Sequence, residues 1–326
     1  MPPGREMRDD APSLRRAAPR VDYRPRDGDL CGRTLACFRF DTQPSPDDAR
    51  VLHVPLPLLG DALDEVWQVD GDVVHGHDGA LRWSRGGGWL FAAIEVHEAA
   101  HGGPEEAAEH AYGCLSRFVA DAEERHVQRI WNYLGAINRG DGDDERYKHF
   151  CTGRIRGMGE VFAQGFPAAT AIGHHGDSGL LQVYLLATDR PGTRVENPRQ
   201  VSAWRYPRQY GRTPPSFARA TRLPDDDVLA ISGTAAVVGH ASAHAGDLDA
   251  QLDETARNLD ALVEAGELPA GFGHNAPLKA YVRDPAHANA VRTFVTRRWP
   301  DTPVLAVHGD ICRAELLVEI DGWRYR

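Results

Sequence analysis

The feature that most restricts the fold is a repeat: strand, connection, helix and strand follow one another twice along the chain. In the second half, Val228-Leu-Ala-Ile-Ser-Gly-Thr-Ala-Ala-Val-Val-Gly239 reads as an apolar strand bounded by glycine. His240 to Gly246 connects it to a helix whose N-cap is Asp247. Leu248, Leu252, Ala256, Leu259 and Val263 stand at helical spacing, and Gly266 ends the run. Leu278–Val282 reads as a strand, residues 285–298 as a second helix, and Val304–Val307 and Glu315–Ile320 as further strands. The first half runs in the same order. Trp89–Val96 is strand-like, His97 to Gly103 connects, and Pro104 opens a helix carrying Ala108, Tyr112, Leu115 and Val119. His175-Gly-Asp177 before Leu180–Leu186 matches His308-Gly-Asp310 before Glu315–Ile320. Such elements must each bury an apolar face, so the pattern predicts an α+β chain of two units, each a mixed sheet backed by helices.

With 326 residues, 42% of them apolar, the chain has material for a core in each unit. The expected divisions are a disordered or loosely draped tail over 1–28, an N-terminal domain over 29–196, a connector over 197–222 and a C-terminal domain over 223–326. A net charge of −10 disfavours a nucleic-acid partner, which would call for a basic stripe. The five cysteines are odd in number and scattered, which suits reduced thiols in the cytoplasm. No run approaches the roughly 18 to 20 apolar residues that span a bilayer, and the Arg- and Pro-rich start lacks a signal-peptide core.

His97-Glu-Ala-Ala-His101 matches the zinc-protease pattern H-E-x-x-H, which needs both histidines on one face of a helix. Here a strand leads straight into it and Gly102-Gly-Pro104 follows, so the expectation is a strand-to-helix connection and no metal site. His174/His175 and His240/His244 lack a coherent third ligand. Arg85-Gly-Gly-Gly88 has the makings of a turn, without phosphate-cradling spacing. Tyr147 and Arg154, seven apart in Glu145-Arg-Tyr-Lys-His-Phe-Cys-Thr-Gly-Arg154, share a face if the segment is helical; an amphipathic helix with a surface arginine fits the same pattern. Residues 197–219, dense in Arg, Tyr and Pro, fit either a solvated crossover or a loop closing over an anion. In Cys312-Arg-Ala-Glu-Leu-Leu-Val-Glu319, a strand would put Glu315, Leu317 and Glu319 on one face. There Glu319 is either an exposed carboxylate or, in an apolar pocket, an acid of raised pKa able to donate a proton.

The C-terminal unit, from Ile231-Ser-Gly-Thr234 through Gly246-Asp247, Gln251 and Asn258 to Val318-Glu-Ile320, resembles the RidA (YjgF) fold. A longer set of strings is similar to the chorismatase family: Arg129-Ile-Trp-Asn-Tyr133, Glu145-Arg-Tyr147, Phe150-Cys-Thr-Gly-Arg154, Pro198-Arg-Gln-Val-Ser202, Tyr206-Pro-Arg-Gln-Tyr-Gly211, Ser232-Gly-Thr-Ala235 and Leu316-Leu-Val-Glu-Ile320. The resemblance implies two RidA/YjgF-like units that cleave chorismate to pyruvate and 3-hydroxybenzoate without metal or organic cofactor. It implies Glu319 as catalytic acid and Tyr147, Arg154, Tyr206 and Arg219 as substrate-binding residues, with Arg146 and Tyr210 as further candidates. Arginine forks and tyrosine hydroxyls suit a dianion with two carboxylates. Cys312, seven residues before Glu319, matches the offset of the 3-hydroxybenzoate-forming branch. Val304 stands where RidA-type imine hydrolases carry arginine, so imine hydrolysis is not expected. The alternatives are hydrolysis of chorismate to a dihydroxycyclohexadiene carboxylate, cleavage of another enolpyruvyl or enamine substrate, and ligand binding without catalysis. A monomer and a homo-trimer are both compatible with the repeat.

Overall fold

The computed structural model describes residues 17–26, 30–225 and 227–326. A first, helix-free sheet is made by β1 (Arg20–Pro25), β2 (Thr34–Phe40), β3 (Val51–Val54) and β4 (Leu63–Gln68), in the order β1-β4-β2-β3. Arg20–Pro25 was expected within a draped tail; instead β1 pairs antiparallel with β4 along its whole length. Its Val21 is buried in the central core and supplies the apolar contact that holds it there. Residues 1–16 and 27–28 of the expected tail lie outside the described residues.

The second sheet contains β5 (Val74–Asp78), β6 (Leu81–Gly86), β7 (Trp89–His97), β8 (His126–Gly135), β9 (Ala168–His174) and β10 (Leu180–Thr188). Helices α1 (Pro104–Ala120) and α2 (Arg146–Gly157) cover its outer face. Gly153 and Gly157 let α2 lie directly on α1, because a Cβ at either would overlap the α1 carbonyls of Glu105 or Glu109. The third sheet has β11 (Thr193–Val195), β12 (Ala220–Arg222), β13 (Val228–Ala235), β16 (Leu278–Val282), β17 (Val304–His308) and β19 (Val318–Tyr325), with α3 (Leu248–Ala265) and α4 (Ala288–Arg298) outside. β14 (Val237–Val238) and β15 (Ala241–Ser242) form a small ribbon, and β18 (Asp310–Ile311) adds to the edge strand β9 of the second sheet. Asp247 caps α3 by accepting from the Ala250 amide, and Gly266 follows the last turn, as the sequence predicts.

The two helix-backed sheets have matching orders, β9-β8-β10-β7-β6-β5 and β17-β16-β19-β13-β12-β11, with the one parallel pair at the same edge. The repeat is therefore structural, and the α+β architecture of two units is present. Its division along the chain differs from the one expected: Thr193–Val195 is the edge strand of the third sheet and Ala220–Arg222 pairs between it and β13, both outside the expected C-terminal domain. The inner faces of all three sheets converge on one aromatic core. Trp131 stacks on Tyr184 at 5.0 Å, Phe38 on Tyr184 at 4.6 Å, and Trp67 meets Trp131 at 5.1 Å and Trp323 at 5.7 Å. Buried ion pairs cross the seams, Arg129–Asp321 at 3.1 Å and Lys279–Glu65 at 2.7 Å. Among the described residues no helix is long and apolar enough to cross a membrane.

Candidate active site

A cavity of about 420 Å³ opens between the second and third sheets. One wall is the β8–α2 loop, the inner end of α2 and β9; the other is β13, β19 and the turn before β19, and residues 200–219 form the roof. Tyr147, Arg154, Tyr206, Tyr210, Arg219, Cys312 and Glu319 all border it. These positions are scattered over more than half the chain, and the seam between the units brings them together. Arg146 does not join them. It is the first residue of α2, turned away to donate to Glu98 at 2.5 Å and to the carbonyls of Gly135 and Ser178 at 3.0 and 2.7 Å. Arg146 is thus a strut that ties α2 to the β7–α1 connection, because the burial of Glu98 demands a cation.

Glu98 belongs to the His97–His101 string, which forms the end of β7 and a 3-10 turn. His97 is exposed near Asp177 and His101 stacks on His110 at 4.1 Å, so the two histidines face different neighbours. The alignment of His97–Gly103 with His240–Gly246 holds in order only, since the β14–β15 ribbon is inserted in the second unit.

Glu319 sits on β19 opposite Ala235 of β13 and is 5% exposed. The segment before it is not strand: Glu315–Leu317 is a turn, held by the Gln251 side chain, which donates to the Glu315 carbonyl (2.9 Å) and accepts from the Leu317 amide (2.8 Å). Glu315 is exposed there and shares no strand face with Glu319. Opposite the Glu319 carboxyl, β13 makes a bulge between Ile231 and Thr234. A Cβ on Gly233 would overlap the carboxyl, so the glycine is what makes the space. Burial, and next the charge of Asp321 two residues on, push the Glu319 carboxyl up to about 8. The carboxyl group is therefore protonated at neutral pH. Among the described residues no hydrogen bond reaches it.

The cationic side of the cavity is Arg154 and Arg219, each at most 5% exposed. Arg154 lies over the Tyr112 ring at 5.2 Å, and its Nε and Nη2 are buried without a hydrogen-bond partner. Arg219 donates to the Tyr206 hydroxyl at 2.6 Å and the Val201 carbonyl at 2.9 Å, leaving its Nε unpaired. Buried guanidinium N–H groups without acceptors are costly, and an anionic ligand would satisfy them. Burial raises the Tyr147 phenol well above its ordinary value, and burial followed by the nearby Glu319 charge pushes the Cys312 thiol up to about 12. Both are neutral donors.

Arg313 and Thr170 also border the cavity and went unread in the sequence. Arg313 stacks on Tyr210 at 4.1 Å and donates to the His240 carbonyl and Ser242 hydroxyl, fixing the roof. Its signal was its place beside Cys312 in what is a turn. Gly233 carried a signal too, since glycine inside an apolar strand marks a bulge. Thr170 carried none.

The model of the FkbO/Hyg5-like chorismatase N-terminal region matches residues 65–187. A 3-hydroxybenzoate synthase of Streptomyces hygroscopicus is 37% identical over 277 residues, covering 79% of this chain and 80% of that protein. A chorismatase of Streptomyces rapamycinicus is 34% identical over 282 residues, covering 80% of this chain and 82% of that protein. A crystal structure of a chorismatase at 1.08 Å superposes with a TM-score of 0.84 at 30% identity, covering 94% of this chain and 98% of that one. The likeness runs through both units and the seam between them, and the chain belongs to the chorismatase family.

Proposed function

We propose that this enzyme cleaves chorismate to pyruvate and 3-hydroxybenzoate, with Glu319 as the proton donor. The observation that carries the reading is a buried carboxylic acid, raised to about 8, facing the same cavity as arginines with unpaired N–H groups. Arg154 and Arg219 bind the two substrate carboxylates, and Tyr147, Tyr206 and Tyr210 orient the ring and ether oxygens. Glu319 protonates the methylene carbon of the enolpyruvyl ether, giving an oxocarbenium ion. The C3–O bond then breaks with its electron pair moving to oxygen, which leaves as the ketone of pyruvate. The neighbouring 4-hydroxyl closes on C3 and returns its proton to Glu319. Opening of the resulting arene oxide with loss of a ring proton gives 3-hydroxybenzoate, so the atoms of chorismate are conserved without water, oxidant or cofactor.

Cys312 is assigned to this branch. Its neutral thiol borders the cavity with the acid and occupies space in which a water would otherwise attack. Mass spectrometry of the products from chorismate tests the reading. Pyruvate with 3-hydroxybenzoate is expected from the wild type, and Cys312→Ala is expected to shift the aromatic product toward the dihydrodiol while pyruvate release continues. A wild type that yields mainly dihydrodiol would overturn the intramolecular branch, and one that leaves chorismate intact would overturn the proposal.

A further inference from the structure

The acid of the third sheet is set in place by a side chain of the second. Thr170, on β9, is buried at the seam. Its hydroxyl donates to Asp321 Oδ2 at 2.7 Å and accepts from Arg129 Nη2 at 2.5 Å and from the Gly233 amide at 3.0 Å. All its hydrogen-bonding capacity is thus spent on protein groups, with none left for a ligand. Asp321 Oδ2 in turn accepts from Trp131 Nε1, Tyr281 OH and Arg129, at 2.9 to 3.1 Å. The adjoining residue of the bulge is pinned from the same strand: the Ala169 amide donates to Ser232 Oγ at 2.9 Å, and that hydroxyl donates to the Ala218 carbonyl at 2.6 Å.

The Gly233 amide is turned out of the β13–β19 ladder by the bulge, and Thr170 supplies its acceptor. An amide so placed and left unpaired would favour a return to regular pairing. Regular pairing at Gly233 would narrow the space that the Glu319 carboxyl occupies.

We propose that Thr170 is a positioning residue for the Glu319 carboxyl, acting from the opposite unit through the Gly233 amide. The anchored chain is Arg129 and Asp321, then Thr170, then Gly233, then the acid. Docking of the two units and assembly of the catalytic group are one event.

This inference builds on the proposed function, so its test separates the two. In the full-length protein, the infrared carbonyl band of a protonated carboxyl that Glu319→Gln removes reports the acid without turnover. In the wild type that band is expected to titrate near pH 8. Thr170→Val keeps the branched shape and removes the hydroxyl. Burial is the largest cause of the raised value, so a carboxyl displaced toward the cavity should titrate lower, closer to an ordinary carboxylate. The kcat on chorismate should fall roughly ten- to a hundredfold, the size expected for a misplaced catalytic group, while KM stays within about twofold. Thr170→Ser should restore both. An unmoved band and unchanged kcat in Thr170→Val, with only a lower melting temperature, would overturn the proposal and leave the hydroxyl as a tie between sheets. If Thr170→Val does not fold, Thr170→Ala is read by the same band and the same kcat, with the same overturning outcome. Absence of chorismate cleavage by the wild type would count against the proposed function, and the infrared titration would still decide the positioning.

Discussion

The two helix-backed sheets offer the same site twice and equip it once. Ala306 pairs with Ala280, which pairs with Ile320; in the other unit Gly173 pairs with Leu134, which pairs with Leu181. Ala306 and Gly173 each stand two residues before the histidines of the repeated His-Gly-Asp string, His308 and His175, whose rings stack at 4.1 Å. Glu319 therefore corresponds to Leu180, and Asp321 to Gln182. β7 runs past Leu180 and Gln182 in unbroken register, whereas β13 bulges opposite Glu319. Gln182 donates to the His53 carbonyl and to Glu95, so it serves as packing against the first sheet. A strand with regular pairing leaves no room for an inward carboxyl. In the proposed function, the bulge, its glycine and the arginines lining the cavity are what turn a structural position into a chemical one.

The largest effect should come from making the acid position inert like its counterpart. Glu319→Gln keeps the shape and removes the proton, so kcat should fall by about 10² to 10⁴, the usual contribution of general acid catalysis, with substrate still bound. Calorimetric binding of chorismate beside a turnover assay checks both halves. The wild-type rate should fall as pH rises through about 8, as the acid form is lost. A near-normal rate in the amide variant would remove Glu319 from the chemistry. Gly233→Ala attacks the bulge instead. The atoms nearest its Cβ all belong to the Glu319 side chain, the carboxyl foremost, so the carboxyl gives way and the fold holds. The expected result is a kcat roughly ten- to a hundredfold lower with little change in melting temperature. The reverse transplant sharpens the contrast. Leu180→Glu in a Glu319→Gln background should recover no turnover, because the second position has no bulge and Arg146, which donates to the nearby Ser178 carbonyl, is already paired with Glu98, and it should cost about 1 to 2 kcal/mol of stability for the apolar burial lost. Denaturant titration and the same assay read the two outcomes.

How much of this was legible in the sequence follows from what is local. The strand at Leu278–Val282, the cap at Asp247 and the stop at Gly266 depend on neighbours within a few residues, and they stand as read. The strand over Glu315–Ile320 was read too long because alternation continues through a turn whose backbone is satisfied by Gln251, a residue 64 positions away from Glu315. Arg146 looked like a site residue because it adjoins Tyr147, but one position along a helix rotates a side chain about 100°, here from the cavity to Glu98. The first sheet, β1 to β4, escaped notice because its strands lack the helices that gave the repeat its rhythm. Thr170 was invisible for a deeper reason: its role lies in the register between strands of different sheets, which no window along the chain contains.

The last expected effect is on stability, and it separates the acid from its counterpart without substrate. Glu319 holds its proton in the folded state up to about pH 8, whereas in the unfolded chain it releases it near the ordinary 4.5. Between those values the folded protein binds one proton more than the unfolded, so the contribution of this group to stability falls as pH rises, by up to about 1.4 kcal/mol per pH unit. Below 4.5 both states are protonated and the slope vanishes; above 8 both are ionised and the buried charge remains as a fixed penalty. Gln at 319 has no proton to lose, and Leu180 never had one. The difference in unfolding free energy between wild type and Glu319→Gln should therefore shift steadily in favour of the variant from pH 5 to pH 8, while Leu180→Gln should run parallel to wild type. Denaturant titrations at each pH measure it. A constant offset between wild type and Glu319→Gln would mean that the carboxyl titrates as freely folded as unfolded, and the buried acid on which the contrast rests would be gone.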